Sequence, residues 1–275
     1  EQLPLNCSVM VTSLLMKSNY AASCTACYMI KSLLVLMLMA ITIPRIFSQS
    51  NEGTEFWFSF LEHRDRGNAR LCMISSKYNT SGTISLDAIG WSVNFNLQAN
   101  TILTLSVPPE AENFGSEFKA NKGVRVVTKL PSSVYIHQYH EFRSDAALVL
   151  PVSSLGSEYY VMTYSGYQNN DDHYPSEFVI VATQNQTVLD LYFSADTRGG
   201  QKKLSTQQII LNEGETYQVQ AARVTDDLSG TFVKGNKNFA VFSGNRWTQI
   251  PTGCGNRDNT LEQMYPIETW GKEFI

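Results

Sequence analysis

Two of the four histidines, His137 and His140, lie three residues apart in the stretch SVYIHQYHEFRSD, and Glu141 follows them directly. Imidazole and carboxylate groups bind zinc in many proteins, and the same groups act as acid and base in hydrolysis. One hypothesis is therefore a metal-dependent hydrolase that uses these three residues. The stretch has the pattern of a β-strand, however, and residues three apart on a strand face opposite sides. With no third ligand at a recognisable spacing, we favour a polar strand end at a junction and expect no metal centre.

A second candidate site is the acidic loop GYQNNDDHYPSE, in which Asp171 and Asp172 offer oxygen ligands of the kind that Ca²⁺ takes. The loop lacks the spacings of EF-hand and RTX calcium sites, so a solvated loop is the favoured interpretation and we expect no cofactor, with Ca²⁺ as the alternative. Loops of this kind contact ligands in many β-proteins. The candidate ligand-binding residues are these two aspartates together with Arg246, Trp247 and Arg257.

Two cysteines, Cys72 and Cys254, follow the first fifty residues. An exported protein permits a disulfide between them but does not require one. Cys72 falls in an apolar strand, which favours a small buried hydrophobic residue, whereas Cys254 lies in the glycine-rich loop PTGCGNRDN. The sequence leaves both alternatives open.

The first fifty residues differ in composition from the rest. Residues 33–43 (LLVLMLMAITI) are uniformly apolar, Lys31 precedes them, and small residues follow. This order predicts a secretory signal with cleavage near Asn51. The alternative is a membrane anchor, but the run is short for a bilayer. We therefore expect a secreted or cell-surface protein whose mature part does not insert into a membrane.

From Glu55 onward, short runs rich in Val, Ile, Phe, Tyr and Thr are separated by clusters of Gly, Asn, Asp, Pro and Ser. This pattern predicts antiparallel strands, with one helical turn expected within residues 108–121. The 43% hydrophobic content provides ample core. The formal net charge of −4 offers no electrostatic footprint for nucleic acid.

The β-rich region also resembles itself. EGTEFWFSF (residues 52–60) and LGSEYYVMTY (155–164) share one pattern, and the alignment places HQYH (137–140) over SGNR (243–246). A third start, PIETWGKEFI, begins at Pro266. A period of about a hundred residues suits a whole β-sandwich. The sequence predicts an all-β fold of two tandem homologous antiparallel β-sandwich-like modules. They cover residues 51–150 and 151–275, after a leader and signal peptide over 1–50, and the chain is truncated at the start of a further strand or module.

Four stretches resemble the N-terminal domain family named after the IgG Fc-binding protein: VVTKLPSSVYIHQY, ALVLPVSSLGSEYYV, NFAVFSGNRW and CGNRDNTLEQMYPIETWGKEF. The likeness covers about residues 53–275 and rests on scaffold positions, not on a catalytic signature. The signal-like start is more similar to the bacterial surface type than to the animal mucus type. The resemblance implies a module of a large exported protein.

We therefore expect a non-catalytic extracellular binding or adhesion module of a secreted multi-domain cell-surface protein. Its partners would be an extracellular protein or glycan ligand and the downstream modules of the same chain. The alternative remains a secreted metal-dependent hydrolase that uses the region of His137 and His140. A structure can separate the two, because the hydrolase requires both histidines and a carboxylate within ligand distance of one point.

Overall fold

The computed structural model describes residues 50–170 and 172–271, with only the backbone described at Asp172. Three predictions concern residues outside this range and stay predictions. They are the leader and signal peptide, ligand contact by Asp171, and the continuation of a further segment after residue 271. No helix in this part of the chain has the length and apolar character that a membrane crossing requires.

The described residues form strands and short 3₁₀ turns but no α-helix, which confirms the all-β prediction. The turns cover Asp87–Ile89, Pro109–Ala111, Val152–Ser154 and Ile267–Thr269, and the second lies where a helical turn was expected. The strands are Gly53–Phe58 (β1), Ala69–Ser75 (β2), Thr80–Leu86 (β3), Trp91–Leu97 (β4), Ile102–Ser106 (β5), Phe118–Asn121 (β6), Val124–His140 (β7), Arg143–Val149 (β8), Glu158–Tyr160 (β9), Tyr167–Asn169 (β10), Asp172–Tyr174 (β11), Ser176–Ala182 (β12), Thr187–Tyr192 (β13), Thr206–Leu211 (β14), Glu215–Gln220 (β15), Phe232–Gly235 (β16), Phe239–Thr248 (β17) and Asp258–Gln263 (β18).

All strand pairs are antiparallel, and the long strand β7 organises the first half of the fold. Its first part pairs with β1 and β3, and its second part pairs with β2 and β8. Strand β4 pairs with β3 at one edge of this sheet, and strand β5 pairs with β2 at the other. In the second half, one sheet has the order β14-β13-β16-β9 and the other the order β18-β17-β12-β15-β6.

The two halves share one strand order. Phe56 on β1 pairs with Val126 on β7, and Tyr159 on β9 pairs with Val233 on β16 in the same way. Strands β5-β2-β7-β8 likewise correspond to β15-β12-β17-β18. One strand departs from this scheme, because β6 belongs to the first half in sequence but pairs with β15 of the second.

The sheet that contains β12 lies in the middle of the fold. All seven residues of β12 are buried, so both of its faces are covered. Val179 and Val181 join the core of the first half, whereas Phe178 and Ile180 join a second core against the sheet of β13. Burying a side chain of this size contributes about 1.5–3 kcal/mol, so a strand with two apolar faces links the halves strongly.

Two glycines are required for close packing at equivalent places. A Cβ atom on Gly53 would lie 2.3 Å from the Cβ of Pro151, and one on Gly156 would lie 2.4 Å from the Cβ of Pro266. Both distances are far below van der Waals contact. The Gly-x-Glu-aromatic pattern that recurs in the sequence therefore marks a site where a proline covers the start of a strand.

Candidate functional site

His137 lies on the outer face of β7. Its ring stacks on that of Tyr139 with 5.0 Å between centroids, and its Nε2 atom lies 2.6 Å from the hydroxyl oxygen of Ser144. These contacts hold the imidazole against the sheet surface. They involve no acidic or thiol ligand.

His140 faces the other way, towards Asp65, with 3.9 Å between its Nδ1 atom and the carboxylate Oδ2. Glu141 is exposed in the turn between β7 and β8. The structure therefore does not bring His137, His140 and Glu141 to one point. Within the described residues, no group of three or more His, Cys, Asp or Glu side chains is placed to hold a metal ion.

The residues Arg246, Trp247 and Arg257 lie in a larger assembly, which we call the arginine–tryptophan cluster. It forms at the end of the fold where β7 and β17 finish and the loops of both halves meet. Its aromatic centre is Trp247, which is 7% exposed. The cluster consists of Trp247 with Arg64, Arg143, Arg246, Arg257, Tyr167 and Tyr174.

Three guanidinium groups surround the Trp247 ring. The Cζ atoms of Arg64, Arg143 and Arg257 lie 4.2, 4.9 and 5.5 Å from its centroid, and Arg257 also lies 4.1 Å from the ring of Tyr167. Each such cation–π contact contributes about 0.5–2 kcal/mol. Because its ring is covered, Trp247 fastens the loops together and offers no open face for stacking a sugar.

Two carboxylates balance part of this charge. Asp65 accepts hydrogen bonds from Arg64 at 2.8 Å and from Arg143 at 2.7 Å. Glu62 forms an ion pair with Arg246, with 2.9 Å between Nη2 and Oε1. Four arginines thus share two carboxylates.

Arg257 carries the uncompensated charge of the cluster. No carboxylate among the described residues forms an ion pair with it, and its side chain is half-buried. Several N–H groups of the cluster are also buried without a hydrogen-bond partner, a situation that native proteins mostly avoid unless a water or ion is bound. They are the Nε atoms of Arg64, Arg143, Arg246 and Arg257 and the Nε1 atom of Trp247.

A pair of buried carboxylates lies beneath the cluster. The side-chain amide of Gln220 donates to Oε2 of Glu62 at 2.7 Å and to Oε2 of Glu177 at 2.8 Å. Glu177 is fully buried, and its pKa is raised well above the usual range by desolvation, and further by the charge of Glu62. Such a pair resembles the acid–base pairs of hydrolases. Neither carboxylate reaches solvent, however, since Glu62 is 5% exposed, so no substrate contacts them.

The acidic loop lies next to the cluster, because Tyr167 and Tyr174 belong to the hairpin of β10 and β11 that carries it. Asp171 and the side chain of Asp172 lie outside the described residues. Calcium binding and ligand contact by these two aspartates therefore stay predictions.

Of the two alternatives left open for the cysteines, the structure contains the one without a bond between them. Cys72 and Cys254 are both free thiols. Cys72 is fully buried in the first core, where burial raises its pKa, whereas Cys254 lies exposed in the loop after β17. The expectation of Cys72 as a buried hydrophobic residue describes its environment correctly.

Two other surface features lie apart from the cluster. An open cavity of about 920 Å³ lies beside β3, β4 and the middle of β7 and is lined mainly by amides and hydroxyls, with one charged group, Lys129. On the outer face of the β13 sheet, a row of partly exposed aromatic rings crosses the strands. It comprises Tyr192, Phe232, Tyr160 and Trp270.

Sequence reasoning identified Arg246, Trp247 and Arg257 but missed Arg64, Arg143 and their shared partner Asp65. One signal was available in the repeat alignment, which places His140 over Arg246. Cys72 and Val179 pair with equivalent residues of β7 and β17, and β17 continues two residues beyond Arg246, the equivalent of His140 at the end of β7. Both ends contribute to the same cluster.

Comparison with known proteins gives two findings. Residues 145–275 match the model of a family described as IgGFc binding protein. The chain is also similar to the IgGFc-binding protein of Homo sapiens, with 22% identity over 245 residues. That alignment covers 87% of this chain but 4% of the human protein, so the chain spans a small fraction of its relative's length. No solved structure matches the chain.

Proposed function

We propose that this chain is a non-catalytic extracellular binding module of a larger secreted or cell-surface protein. In this proposal, residues 51–150 and 151–275 are homologous β-sandwich modules. The end of the fold that carries the arginine–tryptophan cluster contacts an extracellular protein or glycan. The similarity to an IgGFc-binding protein supports an extracellular binding role. A bacterial surface origin rests on the signal-like start of the sequence alone.

The proposal rests on two features at the end of the fold that carries the arginine–tryptophan cluster: a concentration of positive charge and an exposed aromatic residue. Loops of both halves converge on a positively charged cluster. Beside it, the two-residue turn between β7 and β8 presents Phe142, whose side chain is 75% exposed. Exposed aromatic and arginine residues on loops held by a rigid sheet are typical of binding surfaces.

The geometry at this end of the fold does not favour the alternative of a metal-dependent hydrolase. The carboxylates of Glu62 and Glu177 are inaccessible, and His137 and His140 face opposite sides of β7. A catalytic site requires its acid and base within hydrogen-bond distance of one substrate.

The Fc fragment of IgG, named for the human relative, is the first ligand to test, followed by a panel of extracellular glycans. The chain would be immobilised and binding measured by surface plasmon resonance. We expect Phe142→Ser to weaken binding of whichever ligand is found, and Lys119→Gln, at an exposed residue of β6, to leave it unchanged.

Elemental analysis addresses the alternative directly. One equivalent of zinc in the purified chain, lost in the double variant His137→Ala with His140→Ala, would replace this proposal with the hydrolase. Equal effects of Phe142→Ser and Lys119→Gln on binding would show that another surface of the module is used.

A further inference from the structure

We propose that the arginine–tryptophan cluster is a binding site for an acidic sugar, one that carries a carboxylate or a sulfate ester. This inference rests on the proposed binding function and specifies its ligand chemistry. The group recognised is an oxyanion, and Arg257 with its neighbouring guanidinium groups is the receptor.

The first argument is charge. Four guanidinium groups converge here against the carboxylates of Glu62 and Asp65, so among the described residues the arginines of the cluster outnumber the carboxylates that pair with them by two, in a chain whose formal net charge is −4. Like charges held at one place repel each other, and an anion relieves that repulsion. Arginine presents a planar fork of donors that matches carboxylate and sulfate oxygens.

The second argument is the unsatisfied donors. Trp247 is more than nine-tenths buried, and its Nε1 atom has no hydrogen-bond partner. The Nε atoms of the four arginines of the cluster, three around Trp247 and Arg246 beside Tyr174, are also buried without a hydrogen-bond partner. Several unpaired donors around one ring are costly, since each unsatisfied group costs about 1–3 kcal/mol. A bound anion could accept hydrogen bonds from some of these unpaired donors once the guanidinium groups orient towards it.

The third argument concerns the form of the ligand. An extended peptide commonly binds by adding a strand to a free sheet edge. The edges of β8 and β18 face each other here, and side chains already accept their backbone N–H groups. Asp258 accepts from the N–H of Ser144 at 2.9 Å, and Asp145 accepts from that of Leu261 at 2.7 Å.

With these edges occupied, the site favours a compact charged group over an extended acidic segment. Tyr167 and Tyr174 border the cluster, and aromatic side chains of this kind flank many small-ligand sites. An acidic sugar is a compact charged group, and it is a small ligand of the kind that aromatic side chains flank.

The experiment titrates the whole chain with sialyllactose, with sulfated lactose, with neutral lactose and with a short polyglutamate peptide, at constant ionic strength. Binding is followed by saturation-transfer NMR and tryptophan fluorescence. We expect saturable binding of both acidic sugars and none of lactose. Arg257→Gln, which breaks no ion pair with a described residue, should weaken binding about tenfold or more, because a charge-assisted hydrogen bond is lost. Lys119→Gln removes the same charge elsewhere and should change nothing.

Three results would overturn the inference. Lactose binding as well as the acidic sugars do would remove the role of charge. Equal weakening by Arg257→Gln and Lys119→Gln would reduce the effect to net charge. Binding of polyglutamate without binding of either sugar would assign the site to acidic peptides. A chain that binds Fc but no acidic sugar would refute this inference and leave the proposed binding function intact.

Discussion

Replacing Arg246 by methionine is the most direct test of how the cluster is held. Methionine keeps an apolar stem of similar length but removes the charge. The change removes the nearer and more buried of the two arginines that pair with Glu62, at 2.9 Å, and leaves the exposed Arg66 at 3.9 Å. Arg257→Met is the matched control, because Arg257 lies in the same cluster but pairs with no carboxylate among the described residues.

The two expected costs differ in size. Unit charges about 3 Å apart attract by about 5–6 kcal/mol at an effective dielectric constant of about 20, but desolvation offsets much of this. The side chains of Arg246 and Glu62 are 12% and 6% exposed, so this pair is buried. Removing one partner of a buried pair costs about 3–5 kcal/mol. Glu62 keeps two donors on its other oxygen, from Gly115 and Gln220, which places the expected loss near the lower end of that range.

Arg257→Met should cost about 0.5–2 kcal/mol, because it removes only cation–π contacts. Urea unfolding of both variants measures the difference as a shift in midpoint at constant slope. The double variant Arg246→Met with Glu62→Gln should recover most of the loss, since it leaves no buried charge unpaired. Equal midpoints for Arg246→Met and Arg257→Met, or strict additivity in the double variant, would refute the reasoning.

Three further predictions concern buried groups. Because the pKa of Glu177 is raised, the folded state binds more protons than the unfolded state above the ordinary value of 4.5, and the stability of the wild type falls as the pH rises. Glu177→Gln removes this dependence, so its stability relative to the wild type should increase between pH 5 and pH 8. Urea midpoints of the two proteins that run parallel across that range would contradict this. Tyr159→Phe should lower the free energy of unfolding by about 1–3 kcal/mol, because the Tyr159 hydroxyl donates to the carbonyl of Phe239 and accepts from the N–H of Gly156. Tyr160→Phe, on the exposed face, should have almost no effect in the same measurement. In a chain shortened to start at Asn51, a maleimide should label Cys254 rapidly and Cys72 only after unfolding. Labelling of both at one rate would place Cys72 outside the core.

The strands and the all-β class could be predicted because they depend on local patterns. EFWFSF and SEFVIVA carry enough β-branched and aromatic residues to identify strands in isolation. The pairing of β6 with β15 could not be predicted, since nothing in Phe118–Asn121 indicates a partner about a hundred residues away in sequence.

The cluster shows the same limit. Arg64 lies in the loop after β1, Arg143 begins β8, and Trp247 lies near the end of β17, so their association depends on how two halves pack. The state of the cysteines was left open for a related reason. Cysteine count and compartment permit a bond, but only the fold shows that Cys72 is directed into the core and Cys254 away from it.

The polar residues at the junction argue that neither half folds well by itself. Arg70 and Glu177 both lie two residues before the equivalent pair Cys72 and Val179, so one scaffold position holds a buried cation in one half and a buried acid in the other. Glu177 shares its amide donor with Glu62, which comes from the other half. Separation would also expose the apolar face of β12 that joins the first core, at about 1.5–3 kcal/mol for each large side chain. This shared polar and apolar interface holds the two halves together as one compact unit, and it brings the loops of both halves to the same end of the fold.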